Sequence, residues 1–188
     1  MSSAEVAWHE PFGVAETPPE YVLRPRLYLE TTIPSYLTAR PSRDLQTARL
    51  QRITARWWNS WRTSFDIYVS ELVELEVRAG DPDAAQRRLG LIEPYVLLAR
   101  DSRSEALAER VMRDCALPKR AGTDAAHVAV AAVNSLQFLL TWNCAHLANS
   151  EFFPKIAATC EREGYECPVI CTPEQLLERY EHDLAESR

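Results

Sequence analysis

Five short apolar runs, each too brief to be a helix and none strictly alternating, punctuate this chain between helix-forming stretches. They are Leu27-Tyr28-Leu29, Ile67-Tyr68-Val69, Tyr95 to Ala99, Phe138-Leu139-Leu140-Thr141 and Val169-Ile170-Cys171. A strand that is apolar throughout needs cover on both faces, and strands joined through helices run parallel to one another. The pattern therefore predicts an α/β fold, a short and mainly parallel sheet with helices on each side. In such sheets functional groups collect just outside the carboxyl ends of the strands.

The punctuation of the helices supports this layout. Thr31 or Thr32 is placed to cap a short helix that ends before Arg40-Pro41-Ser42. Ser42 or Asp44 then opens a long helix to Trp61, with Leu45, Ile53 and Trp57 expected to face inward. Ser70 caps a helix that Gly80 closes, and Asp81-Pro82 starts the next, since proline is tolerated in a first turn. Ser102 or Ser104 opens a helix whose stripe is Leu107, Val111 and Cys115. Thr123 is the expected cap of a helix from Asp124 to Asn134, apolar nearly all round and hence buried. A helix from Ser150 to Glu163 ends at Gly164, and Thr172-Pro173-Glu174-Gln175 opens the last helix with a capping box. At this spacing Trp57, Trp58 and Trp61 are expected to pack rather than to stack on bases.

At 188 residues the chain fits one domain. Residues 1–25, with four prolines and no clear period, are expected to form an N-terminal arm. Residues 26–178 are expected to form the domain, and residues 179–188 the end of the last helix. The N-terminus has no basic start followed by an apolar stretch, so no secretory signal is expected. No run approaches the roughly 20 apolar residues of a membrane span. Five cysteines without a C-x-x-C pair are expected to be reduced thiols of a cytoplasmic protein. A net charge of −6 argues against non-specific coating of nucleic acid. One segment departs from that average: Arg40 to Arg62 holds six arginines against one aspartate. Arg49, Arg52 and Arg56 share one face of the long helix, a stripe suited to phosphate or to an acidic partner surface.

Placed on this map, four oxygen-bearing residues fall near one rim. Glu30 ends the first strand, Glu76 lies on the helix after the second, Asp124 opens the buried helix, and Asn143 follows the fourth strand. Carboxylates suit hard divalent cations such as Mg²⁺, which takes one or two of them and keeps several waters. Without a cation they repel one another and would repel a phosphodiester. The positive end of the helix dipole helps to keep Asp124 ionised. His127, one turn beyond Asp124, is expected to support the site rather than to bind metal. Thr141 and His146 are expected to support it as well.

At these residues the chain resembles the PIN-domain family, notably the VapC-like toxin ribonucleases of type II toxin–antitoxin systems. Leu27 to Thr32 resembles the opening strand, where the family usually carries Asp before Ser or Thr. Ser70 to Gly80 resembles the second segment, in which a Glu precedes a Gly by four; this selects Glu76 over Glu71 and Glu74. Thr123-Asp124-Ala125-Ala126-His127-Val128-Ala129 resembles the third, and Leu139-Leu140-Thr141-Trp142-Asn143 the fourth. Two positions depart from the pattern: Glu30 stands where Asp is usual, and Asn143 and His146 flank the place of a fourth acid. The resemblance implies a three-layer α/β/α sandwich, Mg²⁺ or Mn²⁺ held by Glu30, Glu76 and Asp124, and hydrolysis of RNA phosphodiester bonds with Asn143 in the catalytic set. It also implies an antitoxin partner and a homodimer. The alternative expectation is a catalytically inactive PIN-like module that binds RNA or protein.

Overall fold

The computed structural model describes residues 24–143 and 152–186, the side chains of residues 182–186 excepted. Five parallel strands form one sheet: β1 (Arg26–Leu29), β2 (Asp66–Ser70), β3 (Val96–Leu98), β4 (Phe138–Leu140) and β5 (Val169–Cys171). Their order across the sheet is β3-β2-β1-β4-β5. The chain thus builds outward from β1 in one direction, then returns and continues in the other. The reversal lies between β1 and β4, whose register pairs Leu27 with Phe138 and Leu29 with Leu140. A crevice outside the carboxyl ends of two such strands is where α/β folds bind ligands.

Among the described residues eight α-helices cover the sheet: α1 (Thr32–Thr38), α2 (Leu45–Trp61), α3 (Glu71–Val77), α4 (Pro82–Ile92), α5 (Ser102–Asp114), α6 (Gly122–Val133), α7 (Phe153–Arg162) and α8 (Pro173–Glu186). The core is continuous from β1 and β4 through α6, where every residue from His127 to Val133 is buried. That continuity explains why α6 reads as apolar all round. Among the described residues no helix is long and apolar enough to cross a membrane.

Most expected helix ends hold. Ser70 accepts from the Val73 amide, and Thr172 and Gln175 form the reciprocal box. Gly80 and Gly164 take positive φ, which lets the chain turn out of a helix without a side-chain clash. Several ends differ. Asp44, one of the two candidates, caps α2 by accepting from Thr47. Asp101, not Ser102 or Ser104, caps α5, and Ser104 completes its box. Thr123 does not cap α6, because a short 3₁₀ turn over Lys119–Ala121 leads directly into Gly122. Thr31 occupies the cap position of α1 but makes no capping bond. The expected start of α7 at Ser150 lies outside the described residues.

Leu45 corrects another expectation: it is 84% exposed. The buried face of α2 carries Thr54 and Trp57. At about 100° per residue, Leu45 stands opposite Thr54 on the helix. The tryptophans do pack. Trp57 lies against Phe65, Trp58 against Tyr95, and Trp61 against Tyr180.

Candidate metal centre

Glu30 leaves β1 at the strand reversal, and its backbone amide still donates to Leu140 of β4. Its side chain is buried, only 6% of the residue being exposed. One carboxylate oxygen, Oε2, takes three donors: the Thr32 amide at 3.0 Å, the Thr32 hydroxyl at 2.5 Å and the Thr141 hydroxyl at 2.8 Å. The carboxylate curls back onto the residue two ahead, as an aspartate does in an Asx-turn. Both threonines are themselves held from the chain beyond β4. Thr32 Oγ1 accepts from the Trp142 amide, and Thr141 Oγ1 from the Asn143 amide, each at 2.9 Å. Trp142 is anchored in turn through its indole N–H to Thr54 of α2 at 2.8 Å.

Glu76 reaches the same place from α3. Its Oε2 accepts from the Thr31 hydroxyl and lies 3.1 Å from His127 Nε2. Burial opposes ionisation of Glu76. The hydrogen bonds from His127 and Thr31, with the charge His127 can carry, outweigh it and hold the carboxyl below its ordinary range. Thr31 and Thr32 therefore do not cap α1; their hydroxyls hold the two glutamates. Ligand atoms of Glu30, Glu76 and His127 all lie within 4.8 Å of one another. For each glutamate the donors found among the described residues fall on Oε2. No lysine or arginine pairs with either of them among the described residues.

Asp124 stands in the first turn of α6, partly exposed, with Oδ1 accepting from the Asn143 side-chain amide at 2.7 Å. Asn143 thus bridges Asp124 to Thr141 and, through it, to Glu30. Glu30 and Asp124 therefore belong to one hydrogen-bonded network and Glu76 to another, through Thr31 and His127; the close trio contains His127 and not Asp124. His146 lies outside the described residues.

Two arginines of the stripe are engaged elsewhere. Arg49 pairs with Glu174, and Arg56 with Glu181 at 2.6 Å, both on α8. The partners are spaced as the arginines are, so α2 and α8 lie side by side with matching repeats. Arg52 is exposed and has no ion pair among the described residues.

Sequence reasoning missed Tyr28 and Ser70 as parts of this region. The Tyr28 hydroxyl lies 2.6 Å from Ser70 Oγ and 2.7 Å from His127 Nδ1. Burial raises the Tyr28 phenol far above its ordinary value; the Ser70 hydrogen bond works against this, and the charges of Glu30 and Glu76 add to it. A signal existed: a tyrosine inside a wholly buried strand must find a partner for its hydroxyl.

No protein-family model matches the chain, and no curated protein matches it in sequence. Among solved structures the fold is similar to a chain of VapBC2 from Rickettsia felis, determined bound to a DNA fragment from their promoter. The TM-score is 0.51 at 12% identity, over 78% of this chain and 97% of that one. The likeness is one of fold, and it agrees with the PIN-like sandwich expected from the sequence.

Proposed function

We propose that this protein is a divalent-metal-dependent nuclease that hydrolyses RNA phosphodiester bonds, the toxin partner of a toxin–antitoxin pair. The observation that carries the proposal is the meeting of Glu30 and Glu76 at the strand reversal, each pinned by one oxygen and neither paired with lysine or arginine among the described residues. Two carboxylates so close repel each other unless a cation lies between them. Oxygen donors of this kind fit Mg²⁺ or Mn²⁺, which Glu30, Glu76 and Asp124 would hold. When bound, such a cation activates water and stabilises the charge that develops on the phosphoryl oxygens.

The chain's own residues supply the order. Thr32 and Thr141 fix Glu30, and Thr31 and His127 fix Glu76, so neither carboxylate must reorganise as charge builds up. Asn143 holds Asp124 through its amide and would orient a phosphate oxygen. Arg52 is the stripe arginine available to the nucleic-acid backbone. Hydrolysis of this type does not use the 2′-hydroxyl, so a preference for RNA would come from contacts outside the acids. The antitoxin partner and a homodimer rest on the family resemblance and on the fold shared with VapBC2.

One observation favours a second reading. The Asn143 amide occupies Asp124, as it would in a module that binds RNA or protein without cutting. Incubating end-labelled RNA with the protein and Mn²⁺, Mg²⁺ or EDTA separates the two. The nuclease reading expects cleavage that EDTA abolishes and that Asp124→Asn and Glu76→Gln both lose. RNA that is bound but uncut with either cation assigns the binding module.

A further inference from the structure

A buried chain of hydrogen bonds runs into the candidate centre from the side away from solvent. The Val73 amide donates to Ser70 Oγ at 3.3 Å. Ser70 Oγ meets the Tyr28 hydroxyl at 2.6 Å, Tyr28 meets His127 Nδ1 at 2.7 Å, and His127 Nε2 meets Glu76 Oε2 at 3.1 Å. Ser70, Tyr28 and His127 are all buried. They come from the end of β2, from β1 and from α6, so the chain ties three elements to the carboxylate on α3.

Its two ends fix its direction. A main-chain amide only donates, and a carboxylate only accepts. Nε2 of His127 must therefore carry a proton to bond Glu76. Nδ1 of the neutral ring is then an acceptor, and the Tyr28 hydroxyl donates to it. With its own hydrogen so used, Tyr28 accepts from Ser70, and Ser70 accepts from Val73. Every hydrogen in this order has an acceptor. The reverse order, with Nδ1–H donating to Tyr28, either turns the Nε2 lone pair onto a carboxylate oxygen or needs a doubly protonated ring, and both strip the Ser70 hydroxyl of its acceptor in the chain. Unmet polar groups are costly when buried, so the first order prevails.

We propose that Ser70 and Tyr28 are positioning residues for the candidate centre, fixing His127 as the Nε2–H tautomer so that it holds one oxygen of Glu76 and presents the other to the cation. The bond order stands on the geometry alone; its consequence for the centre rests on reading Glu76 as a metal-site carboxylate. Although its ring nitrogen lies close to both glutamates, His127 then supports a ligand instead of being one. The centre stays an all-oxygen site suited to a hard cation. Outer partners of this kind typically govern metal affinity about 10–100-fold.

The test uses the full chain with ¹⁵N-labelled histidine. Long-range ¹H–¹⁵N spectra of the metal-free protein, at one neutral pH, report which nitrogen of His127 is protonated. The expected result is Nε2–H in the parent and a mixture of tautomers in Tyr28→Phe, which keeps the ring and removes the hydroxyl. Calorimetric Mn²⁺ and Mg²⁺ affinity should fall on the order of 10-fold in Tyr28→Phe and at least as far in His127→Ala. His127→Gln, whose amide can still donate to Glu76, should recover much of that loss. A parent that binds the cation with Nδ1 protonated overturns the relay while leaving the metal centre standing. A parent with Nε2–H that binds neither cation overturns the positioning role together with the metal centre. Unchanged tautomer and affinity in Tyr28→Phe also overturn it.

Discussion

Thr141→Val keeps the shape of a wholly buried side chain and removes one hydroxyl from the end of β4. That hydroxyl donates to Glu30 at 2.8 Å and accepts from the Asn143 amide at 2.9 Å. A hydrogen bond to a charged group contributes about 1.5–3 kcal/mol net, and an orphaned buried amide costs about 1–3 kcal/mol. Glu30 keeps two donors from Thr32, and Asn143 is half-buried and open to water, so both contributions lie low in their ranges. The expected loss is about 2–4 kcal/mol. Urea denaturation of the metal-free chain measures it as a shift in midpoint at constant m-value. A double-mutant cycle with Glu30→Gln isolates the pair. Because glutamine keeps a neutral acceptor, the coupling should be about 1 kcal/mol, the difference between a charge-assisted and a neutral bond. A Thr141→Val cost under about 0.5 kcal/mol, or a coupling near zero, would refute the claim that β4 holds Glu30 in place.

Other consequences are open to measurement. Asn143→Asp replaces the amide that bonds Asp124 with a second carboxylate; thermal melts should show it less stable than the parent without cation and gaining more from Mg²⁺, and equal melts without cation would contradict this. Arg52→Glu should weaken RNA binding and flatten its salt dependence, whereas Arg49→Glu should act mainly by setting like charges against Glu174, at about 1 kcal/mol or less for an exposed pair. Cys171, whose thiol burial pushes up to about 12 with Arg179 partly opposing, should stay unmodified in native-state alkylation followed by mass spectrometry, and labelling of this residue in the native protein would contradict it. The Asp101 carboxyl is lowered by the Ser104 amide and by Arg103, so its capping contribution is full above the ordinary Asp range and fades as pH falls through the depressed value. The stability gap between parent and Asp101→Ala should narrow in acid, and a gap that widens would reverse the assignment.

Sequence alone determined what depends on neighbours in the chain. Short all-apolar runs between helical stretches fixed a covered parallel sheet, because a strand apolar on both faces cannot meet water. Ser70, Gly80, Gly164 and the Thr172–Gln175 box marked helix ends, because caps act across three or four residues. Glu30, Glu76, Asp124 and Asn143 were legible as candidates by their places on those elements. Where the same local rule failed, a distant partner had outbid it: Thr31 and Thr32 hold carboxylates instead of capping α1, and two stripe arginines pair with α8. Tertiary structure decided the strand order that sets β4 beside β1, and with it the bond from Thr141 to Glu30 across 111 residues of sequence. It decided that His127, not Asp124, stands nearest the two glutamates, and that a core tyrosine carries a hydrogen bond toward one of them. Such contacts depend on the register and packing of elements far apart in the chain, which no local periodicity encodes.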